Sequence, residues 1–121
     1  MESILIVDDD QNLCKLLQEE LSEVGYDVDY LINGIDVLSH LNKNSVDLIL
    51  LDLKMPGKDG FEVLQDLNKK NIKIKVIVLT AYADVKSAID SAKLGANDFI
   101  SKPYDFDELL ITIRKVLQKD S

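Results

Sequence analysis

The chain has 121 residues and a net charge of −8, from 22 acidic and 14 basic residues, and 46% of it is hydrophobic. That length fits one domain with a sizeable core, and that charge disfavours direct binding to nucleic acid. One cysteine, Cys14, excludes an internal disulfide and points to a reducing compartment, and no stretch approaches the ~20 apolar residues of a membrane helix.

In chain order, Ile4–Val7 is a continuous apolar run, as expected of a strand buried on both faces. No basic segment precedes it, so the start "MESILIVDDD" is not a signal peptide and the expected location is the cytoplasm. Leu13, Leu16, Leu17, Leu21 and Val24 have helical spacing, and Gly25 can stop that helix. Tyr26–Leu31 alternates apolar and acidic residues, which predicts an edge strand. Val37, Leu38 and Leu41 predict a short second helix, and Leu48–Leu51 a second buried strand. Phe61, Leu64 and Leu67 mark a third helix, and Val76–Leu79 another continuous strand. Val85, Ala88, Ile89 and Ala92 predict the inner face of a fourth helix, ended by Gly95. Phe99 and Ile100 form a short fifth strand, and Phe106, Leu109, Leu110, Ile113, Val116 and Leu117 a strong last helix. Strand and helix thus alternate five times. The expected fold is a single α/β domain over residues 1–121: a doubly wound (βα)5 unit with five parallel strands and helices on both faces.

In such a sheet, sites form at the carboxyl ends of the strands. The first strand ends in Asp8, Asp9 and Asp10, the third in Asp52, the fourth in Thr80, and Lys102–Pro103 follows the fifth. Asp10 reads as the cap of the first helix, Thr80 could cap the fourth, and Lys102 could be an ordinary surface lysine. Taken together, however, crowded carboxylates suit Mg2+ or Mn2+, and a lysine and a hydroxyl supply donors for phosphoryl oxygens. A carboxylate can also act as the nucleophile. No G-x-x-x-x-G-K loop is present, which disfavours a nucleotide donor.

The motifs "ILIVDDD", "DLILLDLKMPGKDG", "VIVLTAYAD" and "GANDFISKPYDFDEL" span nearly the whole chain. Together they resemble the receiver domain of bacterial two-component response regulators, the family of the chemotaxis response regulator. The resemblance implies a flavodoxin-like sheet of order 2-1-3-4-5. It implies that Asp52 accepts a phosphoryl group from a sensor histidine kinase or phosphotransfer protein. Asp8, Asp9, Asp52 and the backbone carbonyl of Lys54 would hold the metal, Asp9 directly and Asp8 through water. Thr80 and Lys102 would bind phosphoryl oxygens, Phe99 would be the switch aromatic, and the Lys102–Pro103 bond would be cis. Pro56 and Gly60 match the family's turn after the acceptor. Lys54 and Tyr82 occupy the two positions that tune the lifetime of the acyl phosphate. Both are large, so slow hydrolysis is expected. The output would pass through the fourth helix, fifth strand and fifth helix to an effector domain or a second copy. The domain would catalyse only its own phosphorylation and dephosphorylation. The stretch "VKSAIDSAKLGANDFISKP" also resembles receivers that precede ATPase transcription activators.

Other classes fit less well. A Mg-dependent aspartate-nucleophile phosphatase usually carries a second carboxylate two residues after its nucleophile, where this chain has Lys54, and it has a cap segment. A flavodoxin-like cofactor binder would want a phosphate loop where "VDDDQN" is anionic. A degenerate receiver serving only as an interaction module would not retain the full set of site residues. Leu94 and Ile111 fall off the expected core faces and are candidates for a partner patch. His40 is expected to be a solvated surface residue, and Cys14 to be structural or idle.

Overall fold

The computed structural model describes residues 1–119; residues 120–121 of the expected domain lie outside the described part. The elements run β1 (Ser3–Val7), α1 (Gln11–Glu23), β2 (Asp27–Leu31), α2 (Val37–Lys43), β3 (Leu48–Leu51), α3 (Gly60–Lys69), β4 (Lys75–Thr80), α4 (Val85–Lys93), β5 (Asp98–Ser101) and α5 (Phe106–Gln118). The five strands form one sheet in the order β2-β1-β3-β4-β5, and every pairing is parallel. The alternating strand β2 is at one edge and the short β5 at the other.

Side chains along a strand point alternately to opposite faces, so the apolar strands feed two cores. Ile4, Ile6, Leu48, Leu50, Ile77 and Leu79 meet Cys14, Leu17 and Leu21 of α1 and Leu109, Ile113 and Val116 of α5. Leu5, Val7, Ile49, Leu51 and Val76 meet Val37 of α2 and Val63, Leu64 and Leu67 of α3. This double burial makes the central strands apolar throughout and fixes their register.

Two helix faces differ from expectation. On α1 the buried stripe is Cys14, Leu17 and Leu21, while Leu16 and Val24 are exposed. Leu16 sits about 100° around the helix from Leu17, and Val24 is the C-cap, where the chain leaves the core. On α4 the difference is larger. Val85 is 76% exposed and Ile89 49% exposed, while Ser91 is only 1% exposed. The inner face carries Ser91, whose hydroxyl donates to the Ala88 carbonyl at 3.1 Å. Leu94, expected to face outward, packs against the second core instead. It is the C-cap of α4, held where Gly95 turns back at φ +101°. Ile111 is exposed.

Candidate functional site

The strand ladders carry the site residues into place. The Asp8 N–H donates to the Leu31 carbonyl at 3.1 Å, and the Asp52 N–H to the Val7 carbonyl at 2.9 Å. The Lys102 N–H donates to the Thr80 carbonyl at 2.8 Å. Each residue that follows a strand is thereby tied to its neighbour, and four strand ends are held at one rim.

At that rim, carboxylate oxygens of Asp8, Asp9 and Asp52 lie within 4.8 Å of one another. Asp8 and Asp52 are buried and Asp9 is exposed. The Lys102 ammonium donates to Asp8 Oδ2 at 2.6 Å and stands 3.6 Å from Asp52 Oδ2. Burial pushes the Asp8 carboxyl above its ordinary range, against the downward pull of the Lys102 bond. Burial alone would lower Lys102, but the bond to Asp8 and the charges of Asp8 and Asp52 raise it. Asp52 Oδ1 is buried and has no hydrogen-bond partner. An orphaned, buried carboxylate oxygen beside two more carboxylates is the donor set a hard divalent cation takes.

The other expected residues are distributed around this cluster. Thr80 ends β4 fully buried, and its hydroxyl oxygen accepts from the Tyr82 N–H at 3.2 Å. The Lys54 ammonium lies 5.0 Å from the centre of the Tyr82 ring, a cation–π pair joining the two loops beside Asp52. The Lys102–Pro103 peptide is cis. Phe99 is half-buried, opposite Val78 in register, set back along β5 from the carboxylates. Asp10 caps α1 by accepting from the Leu13 N–H at 3.1 Å.

Two residues, Gly60 and Cys14, support the site through close contacts, and one expectation, for His40, is corrected. Gly60 opens α3 against the strand end, and its N–H donates to the Leu53 carbonyl at 2.9 Å. A Cβ there would run into the Asp52 carbonyl oxygen and come within 2.8 Å of Leu53 Cα. The signal was a glycine directly after the helix cap Asp59. Cys14 is fully buried, and its thiol donates to the Asp8 carbonyl at 3.3 Å, so it supports the loop that carries Asp8 from beneath. His40 is a correction: its side chain is only 16% exposed, packed 3.8 Å from Asp29 with Nε2 unpartnered.

The response regulator receiver domain model matches residues 4–114. A Bacillus subtilis protein, sporulation initiation phosphotransferase F, is 39% identical over 116 residues, covering 96% of this chain and 94% of that one. The Klebsiella oxytoca transcriptional regulatory protein ZraR is 40% identical over 94% of this chain but only 26% of its own length. Among solved structures, the Thermotoga maritima response regulator TrrA, in complex with Mg(2+)-BeF, superposes at TM-score 0.85 with 40% identity, covering 96% and 99% of the two chains. A Francisella receiver domain superposes at 0.91 with 31% identity, covering 98% of both. The chain therefore belongs to the response regulator receiver domain family. It spans about a quarter to half the length of several of its curated relatives.

Proposed function

We propose that this receiver accepts a phosphoryl group on Asp52 from a partner's phosphohistidine. The observation that carries this reading is the buried, unpartnered Asp52 oxygen set among Asp8, Asp9 and Lys102. The Asp52 carboxylate attacks phosphorus, the N–P bond breaks, and the imidazole leaves with the electron pair. Lys102 and the Thr80 hydroxyl bind phosphoryl oxygens, which requires the Thr80 side chain to turn from the Tyr82 N–H. Asp8, Asp9, Asp52 and the Lys54 carbonyl would hold Mg2+, which when bound offsets the charge gathered at the transferring group. The Mg(2+)-BeF complex of the Thermotoga relative supports Mg2+.

Phe99 then turns toward the space Thr80 vacates, and the surface of α4, β5 and α5 changes. Tyr82, Val85, Ile89 and Ile111 are exposed on these elements and on the loop leading into α4. This apolar set supports an output partner, an effector domain or a second copy, on that face. Among the described residues no helix is long and apolar enough to cross a membrane; we place the receiver in the cytoplasm, beside its kinase.

Acetyl phosphate with Mg2+, followed by intact mass measurement, tests the acceptor. The expected result is one added phosphoryl group on wild type and none on Asp52→Asn. Unlabelled wild type, or full labelling of the variant, removes Asp52 as acceptor.

A further inference from the structure

Opposite the carboxylate rim, at the strand starts, α3 and α4 part over the sheet and leave a groove of about 370 Å3. Leu64, Leu67 and Leu94 line its apolar wall, and the first two are buried. Among the described residues its charged lining consists of Lys73, Lys75 and Lys119, with no carboxylate. In a chain of net charge −8, an apolar groove whose described charged residues are all lysines is a local reversal of sign.

The three lysines have different duties. Lys75 begins β4, and its ammonium donates to the carbonyls of Leu117 and Lys119 at the end of α5. That bond answers the negative end of the helix dipole and gives Lys75 a structural role. Lys73 and Lys119 are exposed and enter no ion pair among the described residues. Asn68 and Asn97 also line the groove, and each already has a bond in place: Asn68 Nδ2 to the Leu94 carbonyl at 2.8 Å, and Asn97 Oδ1 from the Val76 N–H at 2.8 Å. These bonds tie α3 to the C-cap of α4 and the start of β5 to β4 along the groove.

We propose that this groove docks an acidic peptide segment of a partner protein. One aliphatic anchor of the segment sits on Leu64, Leu67 and Leu94, and its carboxylates face Lys73 and Lys119. The charge selects the occupant: the cationic rim favours acidic chains, and the apolar wall favours those with a side chain to bury. A polyanion without an anchor, such as nucleic acid, would meet the lysines but leave the wall wet.

The probe is a fluorescein-labelled peptide, Asp-Glu-Leu-Asp-Asp-Leu-Glu, followed by anisotropy with the whole chain. Saturable binding is expected. It weakens roughly tenfold or more both for the Lys73→Glu/Lys119→Glu variant and for the peptide with serine at both leucine positions. Acetyl phosphate labelling of the variant stays at the wild-type level, since both lysines lie at the far end of the strands. Lys75 is left in place because it caps α5. The proposal is overturned by absent binding, by an unaffected double variant, or by equal binding of the serine peptide or a single-stranded oligonucleotide.

Discussion

Asp9 and Gly60 show how single residues set the terms of the site. Lys102 balances Asp8 and approaches Asp52, but Asp9 has no cationic partner among the described residues. Its charge adds repulsion to the cluster unless a cation arrives. In metal-free buffer Asp9→Ala should therefore melt a few degrees above wild type and lose the stabilisation that Mg2+ confers. A thermal scan with and without Mg2+ checks both, and an unchanged or lower midpoint without Mg2+ would mean the cluster carries no such strain. Gly60→Ala should cost about 1–3 kcal/mol in urea unfolding, because the new methyl meets backbone that cannot move aside. The Lys54–Tyr82 pair leads to a kinetic outcome. Tyr82→Ala, labelled with acetyl phosphate and freed of excess donor, should lose its phosphoryl group several-fold faster than wild type. Equal decay would show that the ring shields nothing. The carboxylates, Thr80 and Lys102 were legible because each stands where an apolar run stops. The support given by Cys14 was not, and Gly60 was matched only through the resemblance, since what matters for both is the atom across the gap, and spacing does not encode it.

Among the elements, α4 departs furthest from its own pattern. Its apolar residues Val85, Ile89 and Ala92 recur at helical spacing, yet all three are exposed, and Ser91 occupies the interior. Periodicity locates a stripe but does not say which neighbour covers it. Here the space beside β4 and β5 takes a small polar side chain that bonds its own helix, and the larger residues stay outside. Val85→Asp should change unfolding free energy by no more than about 0.5 kcal/mol, whereas Leu94→Asp should cost about 1–3 kcal/mol. Urea titrations of the two variants separate these roles, and a large loss for Val85→Asp would restore that stripe to the core. Of the helix caps, Asp10 was legible, whereas α4 is capped by Asp84 and not by Thr80. Asp59 and Glu62 form a reciprocal capping box at α3, with bonds of 2.9 and 3.1 Å, and Asp84 accepts from the Ser87 N–H at 2.6 Å. Asp10 and Asp105 cap α1 and α5 in the same way.

For the molecule as a whole, the order of elements and the parallel sheet followed from alternating strand and helix patterns, because each central strand had to be covered on both faces. The strand order came with the family likeness, since hydrophobic pattern alone does not say which strands are neighbours. The two cores also give the whole fold a built-in monitor. Cys14 is fully buried, and its thiol is pushed up to about 12 by burial and by the charges of Asp8 and Asp10. It should resist a disulfide reagent in the native state at pH 8 and react at the rate set by opening of the α1 core. Following absorbance against urea concentration checks this, and immediate reaction in native buffer would show that α1 opens locally.

The bond between Lys102 and Asp8 closes a span of 94 residues. Asp8 follows the first strand of this domain, and its lysine partner follows the last. A chain still under synthesis that has not yet reached β5 lacks the Lys102 ammonium that stands beside Asp8 and Asp52. The rim becomes complete only when β5 has joined the sheet edge. The complete pairing of carboxylates and ammonium is thus tied to completion of the fold.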